Sequence, residues 1–571
     1  MITPLLCFGA LFQAPPAESF RAETRDGIHI TTECYFPKAL RSGFVPIRIR
    51  LENTRDDAVT LKVLLYQGYW DKAITEGSLT LEPGESRRLD WRALYWEDLG
   101  DESIDLQVKE GERHIVRWEI LETLPNSSLS SHVGLLTVGE KSKATASHLN
   151  GKTFFSSETS PQQISASSLP SGRAPTDWRA WSSLRIVVVS AQDTTLSPDT
   201  LRSLGEWVSL GGFLIIEGTH LEARSLLQQA GIPQEERLRT STELSDIYRH
   251  GFGRVALPRA SATASELLED VVHWDKSATP ANGPFPSKLS RLDLAIPGLA
   301  DIPIRFFLLL LVLFALFVGP GQFYYLKKKN KSAFSFLLFT PVLGLSFTVI
   351  LLGWPILSQG LHVKDRVASI TWLHQESHTA STILQRSTFS GSRVQKGARY
   401  QSRTAVIPKD PNLTDQKDHF VINMDQAGAL KNRYFPARLP FKEQQANILT
   451  ARNQVAIEKE GDTLFASHNF DTQLSNFFFQ DNSGQWWRPK TIGALSEQAQ
   501  HMPLEHCEEP DPLELQFLSS SNFAHLPTQI PVNTWVAWLK QSPFVDDGEI
   551  ERSVVQSQNL VFGLLPQEQS P

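Results

Sequence analysis

The chain has 571 residues, of which 41% are hydrophobic and 20% charged, and its formal net charge is −7. This length predicts about three or four domains of ~150 residues each. The negative balance argues against nucleic acid as the main partner, because phosphate binding requires concentrated lysine and arginine. The three cysteines, Cys7, Cys34 and Cys507, form no CxxC metal pattern and indicate no disulfide framework.

Residues 1–18 are interpreted as a secretory signal peptide. An apolar run from Leu5 to Phe12 is followed by Ala14 and Ala17, either of which suits a cleavage site. No lysine or arginine precedes the run, so a wrongly chosen start codon or a buried N-terminal strand is the alternative. A signal here predicts that the following domains are exported.

Residues 19–125 predict an immunoglobulin-like β-sandwich. Ile47, Ile49 and Leu51 alternate with charged residues, and residues 59–65 alternate in the same way. Turn signals such as Glu82-Pro83-Gly84-Glu85 separate the strands, as is typical of a sandwich. A module of this type binds, spaces or stiffens, and it carries no chemistry of its own.

Residues 130–255 contain a strand–helix–strand unit. A buried strand at Leu184–Val189 is followed by Ser197, a residue suited to a helix N-cap, and by Pro198, suited to the first helical position. Gly211-Gly212 ends the helix, and Phe213–Ile216 forms the next strand. A crossover of this kind predicts a parallel sheet.

The run DWRAWSSLRIVVVSAQDTTLSPDTLRSLGEWVSLGGFLIIEG resembles a class I glutamine-amidotransferase-like domain, with a flavodoxin-like fold. Enzymes of that fold carry a nucleophilic cysteine on a tight turn after a strand. Here that turn is Glu217-Gly218-Thr219-His220, and no cysteine is present in the domain. The resemblance therefore implies a domain that has lost this catalysis, because a thiolate is the attacking species.

The wider layout is similar to uncharacterised bacterial membrane proteins that join a β-sandwich, an amidotransferase-like domain, a membrane hairpin and a further β-rich region. The run VGPGQFYYLKKKNKSAFSF is similar to their hairpin motif. This resemblance implies an envelope or assembly factor, by analogy alone.

Three polar residues follow strands in the α/β region. Ser190, Asp193 and His220 lie at carboxyl ends of strands, where α/β sheets bind ligands. A Ser/His/Asp hydrolase is therefore an alternative. Ser190 lacks the Gly-x-Ser-x-Gly turn that exposes such a nucleophile, and residues of these types after strands are usually turn and cap residues. We predict no catalytic residue here.

Residues 256–303 are predicted to be a connector, and residues 304–358 a transmembrane hairpin with spans at 306–325 and 333–357. Each span is free of charge and has the roughly 20 residues that cross a bilayer as a helix. The loop Lys327–Lys331 between them is predicted to be cytoplasmic because of its lysines. These signals predict the bacterial inner membrane, with soluble domains on the periplasmic side and the lipid bilayer as a partner.

Residues 359–571 are predicted to be mainly β. Strands at 455–457 and 463–465 flank a Glu460-Gly461-Asp462 turn, which predicts a hairpin. The aromatic residues between Phe477 and Trp487 are predicted to be core rather than a binding surface. His501, His506 and Cys507 match no metal-site spacing, so no metal and no cofactor are predicted.

The predicted class is a multidomain α+β membrane protein, with a β-sandwich, an amidotransferase-like α/β domain, two transmembrane helices and a C-terminal mainly-β domain. The predicted function is that of a non-catalytic, membrane-anchored envelope protein whose outer domains bind or scaffold a partner protein or glycan. An accessory subunit of a transport system is one alternative. A hydrolase or amidotransferase relative acting in the α/β domain is another.

Overall fold

The structure is a computed structural model, and the part of the chain that it describes excludes several segments. It describes residues 19–67, 73–96, 103–123, 132–156, 160–234, 239–259, 263–264, 266–268, 283–285, 294–297, 304–328, 334–359, 362–391, 397–408, 420–423, 429–430, 440–490, 502–508, 510 and 530–566. The predicted signal peptide, residues 329–331 of the lysine loop and His501 lie outside these residues.

Two antiparallel arrays of strands form the N-terminal part. Their members are β1 (Ser19–Arg25), β2 (Ile28–Cys34), β3 (Gly43–Asn53), β4 (Val59–Gln67), β5 (Ala73–Leu81), β6 (Ser86–Tyr95), β7 (Ser103–Glu110) and β8 (Arg113–Glu122). One sheet has the order β1-β2-β3-β6, and the other contains β5-β4-β7-β8. The alternation predicted at residues 47–51 is confirmed, because Ile47, Ile49 and Leu51 are buried between the sheets.

An eight-stranded mixed sheet follows, with the order β10-β11-β9-β12-β13-β16-β15-β14. Its elements are β9 (His132–Val138), α1 (Lys143–Leu149), β10 (Thr153–Ser156), β11 (Ser160–Leu169), β12 (Ile186–Ser190), α2 (Pro198–Ser209), β13 (Phe213–Glu217), α3 (His220–Gln229), β14 (Arg239–Ser241), β15 (Ser245–His250) and β16 (Gly253–Pro258), with 3-10 turns at Ser171–Arg173 and Trp178–Trp181. The Ser197 side chain accepts a hydrogen bond from the Thr200 N–H, and β12 pairs with β13 in parallel. The predicted helix start and crossover are therefore confirmed.

The next segment is helical and apolar. It consists of α4 (Ile304–Leu316), a π-helical turn (Phe317–Gly321), α5 (Gln322–Lys328) and α6 (Phe334–Gln359). Pro320 lies in the π turn. This placement is expected, because proline has no backbone N–H to donate to a helical hydrogen bond and so widens the turn. The Phe314 and Phe347 rings, 5.1 Å apart, pack α4 against α6.

The remaining described residues are mainly strands. They are β17 (Val363–His374), β18 (Thr379–Ser390), β19 (Thr404–Pro408), β20 (Phe420–Asn423), β21 (Ala429–Leu430), β22 (Pro440–Thr450), β23 (Val455–Glu460), β24 (Thr463–His468), β25 (Leu474–Gln480), β26 (Trp486–Pro489), β27 (Met502–Cys507), β28 (Thr534–Leu539) and β29 (Ser553–Leu564). Eleven of them form one sheet, β19-β22-β18-β17-β29-β28-β25-β26-β27-β24-β23. The predicted hairpin is confirmed as β23–β24, and Phe477, Phe479 and Trp486 are buried as predicted.

Strands from both sides of the helical segment share one sheet. β20 pairs in parallel with β5, which gives a six-stranded sheet with the order β21-β20-β5-β4-β7-β8. Arg403 forms an ion pair with Glu206, and the Ser209 and Ser381 hydroxyls are 2.8 Å apart in the interior. The regions before and after the helices therefore form one packed body.

A cluster of charged side chains lies inside the eleven-stranded sheet. Arg386 on β18 is fully buried, with Nε 3.4 Å from Asp365 Oδ2 and Nη1 3.4 Å from Glu443 Oε1. Arg552 Nη1 lies 3.0 Å from Asp365 Oδ2. Asp547 Oδ1 lies 2.6 Å from Arg386 Nη2, so two guanidinium groups meet three carboxylates, and we assign the cluster a structural role.

The predicted fold class is wrong. Of the described residues, 50% are in strands and 19% in helices, and they form four sheets, so the structure is β-rich rather than α+β. Among the described residues, one stretch, Phe307–Tyr325, is long and apolar enough to cross a membrane by length and composition, rather than the predicted two. The apolar stretch of α6 found by the same test, Phe339–Leu351, is shorter. At 1.5 Å per residue it spans about 20 Å, less than the ~30 Å hydrocarbon core.

Candidate functional site

The three polar residues considered for catalysis lie at the carboxyl edge of the eight-stranded sheet. Ser190 ends β12, Asp193 follows in the next turn and His220 begins α3. The Ser190 hydroxyl accepts a hydrogen bond from the Gln192 N–H at 3.4 Å. Asp193 Oδ1 accepts hydrogen bonds from the N–H of Thr195 at 3.1 Å and from its hydroxyl. Ser190 and Asp193 therefore act as turn residues.

The His220 side chain contacts Asp246, a carboxylate that the sequence analysis did not identify as a site residue. Its Nε2 lies 3.3 Å from Oδ2 of Asp246 on β15, whose other oxygen accepts hydrogen bonds from Ser241 Oγ at 2.7 Å and Arg259 Nε at 2.9 Å. Burial raises the pKa of Asp246, but these hydrogen bonds outweigh it and leave the pKa below its usual range. The structure does not bring Ser190, Asp193 and His220 into one hydrogen-bonded group.

The residues considered for a metal also remain apart. His506 and Cys507 lie on β27, where the His506 ring packs edge-on against Trp487. Across the described ranges, no group of three or more His, Cys, Asp or Glu side chains is placed to hold a metal ion.

A charged groove lies between the first sheet and the segment before β12. It encloses about 420 Å³ and is lined by β2, β3 and β6 on one side and by residues 169–180 on the other. We name it the arginine groove after Arg48, Arg88, Arg92 and Arg173, which line it together with Glu33, Asp90, Asp177, Tyr35 and Trp91. Pro46 pairs with Arg92 and Arg48 with Asp90 across β3 and β6, which places these side chains on one face of the sheet.

Each carboxylate in the arginine groove is shared by two guanidinium groups. Asp90 lies 2.8 Å from Arg48 Nε and from Arg88 Nη2. Glu33 lies 3.7 Å from Arg48 Nη1 and 3.4 Å from Arg173 Nη2.

Asp177 is the third shared carboxylate. It pairs with Arg92, and Arg179 Nη2 lies 2.6 Å from its Oδ2. It also caps the 3-10 turn by accepting the Arg179 N–H at 3.0 Å. Burial raises the pKa of Asp177, but the hydrogen bond from Arg179 and the charges of Arg92 and Arg179 lower it to about 2.

The arginine groove has more positive than negative charge. Four guanidinium groups and three carboxylates line it, which leaves an excess of one positive charge. Arg48 Nη1 is also buried without a hydrogen bond. Guanidinium groups of this kind bind carboxylate or phosphate oxygens in a defined plane.

The sequence carried a partial signal for this groove. Arg48 and Arg50 alternate with Ile47 and Ile49, a pattern that predicted a strand of the β-sandwich. The groove also needs Arg173 and Asp177, which lie in the region assigned to another domain. Only the packing of the two parts reveals that they meet.

A second cavity, of about 430 Å³, lies between the eight-stranded and eleven-stranded sheets. His250 at the end of β15 and His374 at the end of β17 line it, with ring centroids 4.8 Å apart and planes tilted by 35°. Burial lowers the pKa of His374 to about 4. Burial and the neighbouring His374 hold the pKa of His250 well below its usual value. We name this space the histidine cavity.

No protein-family model matches the sequence, and no curated protein matches it. A solved structure of the yeast delta-COP-I mu-homology domain complexed with the Dsl1 WxWxV peptide is 7% identical, covers 35% of this chain and 96% of its own, and has a TM-score of 0.17. A Paenibacillus cycloisomaltooligosaccharide glucanotransferase is 10% identical over 35% of this chain and 28% of its own, with a TM-score of 0.17. Bacteroides uniformis beta-glucuronidase 2 is 11% identical over 36% of this chain and 22% of its own, with a TM-score of 0.12. Similarities this weak indicate neither the fold nor the function of this chain.

Proposed function

We propose that this protein is a non-catalytic envelope protein, anchored in a bacterial inner membrane, whose exported body binds an acidic glycan in the arginine groove. The observation that carries the anchoring is the exposed apolar surface of α4 and α5. Between Phe307 and Tyr325, the large apolar side chains that face outward are 38–68% exposed. Exposed apolar area is unfavourable in water by about 25 cal/mol per Å², and lipid removes this penalty.

The packed body supports an arrangement on one side of the membrane. Because β5 and β20 pair directly, the regions before α4 and after α6 belong to the same body, so the apolar segment enters and leaves the membrane on the same side. Lys327 and Lys328 end α5, and further lysines follow in the sequence. Lysines at the end of an apolar helix keep their charged groups at the membrane–water interface.

The chemistry of the arginine groove supports an acidic saccharide as the ligand. Its guanidinium groups supply donors for a carboxylate, while the carboxylates of Glu33, Asp90 and Asp177 accept hydrogen bonds from hydroxyl groups. A volume of about 420 Å³ suits a small ligand rather than a protein surface. The excess positive charge of the arginine groove favours an acidic sugar over a neutral one. The paired charges offer no free nucleophile, which favours binding over turnover.

The glycan proposal is tested by calorimetric titration of the detergent-solubilised full chain with galacturonate oligosaccharides, and with galactose oligosaccharides of equal length. We expect binding of the acidic series alone, weakened at least about tenfold by Arg48→Gln or Arg173→Gln, since a charged hydrogen bond contributes about 1.5–3 kcal/mol. Arg113→Gln, which removes an exposed arginine paired with Asp26, is the matched control. Equal binding of both sugar series, or groove variants that bind like the native chain, would contradict the proposal.

The anchoring is tested by alkaline extraction of membranes from cells that express the full chain. We expect the native chain to stay in the pellet and Leu309→Asp/Val312→Asp to be extracted, because a charge at mid-helix opposes insertion by about 2.5–3.5 kcal/mol. Leu221→Asp is the control, since this leucine is 82% exposed on the body. Release of the native chain by alkali would remove the basis of the proposal.

A further inference from the structure

The histidine cavity contains two imidazole side chains that no hydrogen bond accounts for. His250 is 9% exposed and His374 6% exposed, so both are more than nine-tenths buried. Nδ1 of His250 and Nε2 of His374 are buried and lack a hydrogen-bond partner. Buried polar atoms are nearly always paired, so two unpaired nitrogens on adjacent rings require an explanation.

The positions of the two rings suit a shared ligand. Each histidine is the last residue of a strand, so its backbone is fixed by a sheet ladder: His250 pairs with Gly253 on β16, and His374 pairs with Thr379 on β18 and Leu564 on β29. Nitrogen atoms that bind one tetrahedral zinc at 2.0–2.1 Å lie about 3.3 Å apart. Ring centroids 4.8 Å apart are compatible with that spacing.

A carboxylate is available at the same cavity. Glu376, two residues after His374, lines it in the turn between β17 and β18 and is exposed. The structure gives it no hydrogen bond or ion pair with another described residue. The three side chains are not placed as one ligand group among the described residues, so water would fill the positions that the two histidines leave on a tetrahedral ion. The cavity of about 430 Å³ has room for that water.

We propose that His250 and His374 bind a divalent transition-metal ion of the zinc class, with water completing the coordination. Imidazole nitrogen suits zinc, cobalt, nickel and copper, whereas magnesium and calcium prefer oxygen ligands. The two histidines come from opposite sides of the helical segment. A bound ion would therefore join the eight-stranded and eleven-stranded sheets and add to the stability of the packed body. This site is independent of the arginine groove and of the membrane anchor.

The test uses the full chain in detergent, without a polyhistidine tag and stripped with a chelator. Zinc chloride is titrated in competition with a chromophoric chelator, and cobalt binding is followed by visible absorption. We expect one equivalent of zinc to bind the native chain and raise its melting temperature. His250→Asn and His374→Gln should each weaken binding at least about tenfold, the lower limit for disrupting a metal's surroundings. His506→Gln, an exposed histidine on β27, is the control and should leave binding unchanged.

A second variant separates metal ligation from packing. His374→Cys keeps a zinc ligand at this position, so it should retain binding that His374→Gln loses and add a sulfur-to-cobalt absorption band. Glutamine and cysteine variants that lose binding equally would overturn the proposal, as would a native chain that binds no more zinc than His250→Asn. If the histidine variants do not fold, the titration of the native chain decides: no bound equivalent and no rise in its melting temperature also overturn it.

Discussion

Single carboxylates in the arginine groove hold several elements together. Asp177 caps a 3-10 turn and pairs with Arg92 on β6, so it joins the β-sandwich to the α/β sheet. Its ionised form is therefore part of both the turn and the groove wall.

This arrangement predicts a pH dependence of stability. The pKa of Asp177 in the folded chain, about 2, lies below its ordinary value of 3.8. A lowered pKa means that the stabilisation is fully present above about pH 4 and is lost as the pH falls towards 2. We expect Asp177→Asn to lower the melting temperature at pH 7 and to reduce its change between pH 4 and 2. Asp462→Asn, in the exposed β23–β24 turn, is the control. An acid profile unchanged by Asp177→Asn would contradict this role.

Gly139, after β9, is required by its backbone and by its neighbour. Its φ is +100°, and an added Cβ would lie 1.8 Å from Asp193 Oδ2. Gly139→Ala should destabilise the fold by about 1–3 kcal/mol, because an L-residue is strained at this φ and the aspartate must move. Gly172→Ala, where an added Cβ meets nothing within 4 Å, serves as the comparison in urea unfolding. Equal unfolding midpoints for the two variants would show that the close approach is tolerated.

For single residues, the sequence predicted the position relative to the strands better than the residues that each side chain contacts. Ser190, Asp193 and His220 do follow strands as predicted, but their contacts are Gln192, Thr195 and Asp246. The first two partners are local turn contacts. Asp246 is reached only when β15 folds beside α3, which no spacing in the sequence specifies.

Individual elements with strong local signals were predicted closely. The Ser197 cap and the proline after it define the start of α2, and the alternation in β3 defines its buried face. The eleven-stranded sheet had no comparable signal. β18 is almost wholly buried on both faces although it contains Gln385, Arg386 and Thr388. In a sequence, polar residues of this kind indicate a solvent-exposed face. Only the residues that pack against them in the folded structure show that they are buried.

The buried cluster in this sheet gives an element-scale prediction. Arg386→Met leaves Asp365 and Glu443 with one guanidinium fewer in a site without solvent. Breaking a buried ion pair in this way costs about 3–5 kcal/mol. Arg488→Met, which removes an exposed pair with Glu505 on β26 and β27, should cost less than about 1 kcal/mol. Denaturant unfolding distinguishes the two, and similar losses would show that the cluster contributes no more than a surface pair.

At the scale of the whole molecule, the packed body makes a prediction about membrane sidedness. Single reporter cysteines are placed at Glu112, before α4, and at Asp462, after α6, in a Cys507→Ser background. Because the two regions pack together, we expect an impermeant maleimide to label both equally from outside the cell. Labelling of only one of the first two positions would show that the body is divided by the membrane.

The order of the predicted domains along the sequence did not indicate that the regions before and after the helices pack together. Composition and turn signals indicated successive units, but β20 and β21, from the region after the helices, complete a sheet that begins near the N-terminus. A short strand such as Phe420–Asn423 has no local signal for its partner. Pairing over such a distance is decided by the tertiary fold, so no window of the sequence reveals it.

The ladder between β5 and β20 also has a consequence for biosynthesis. Until the ribosome has made residues 420–423, β5 has an open edge, with N–H and C=O groups free to pair with another chain. The apolar helices are made during this interval, so the nascent chain exposes an unpaired strand edge and an apolar helical surface at the same time. A chaperone that shields β5 would then be needed until translation is nearly complete, and truncated products that end before residue 420 would aggregate.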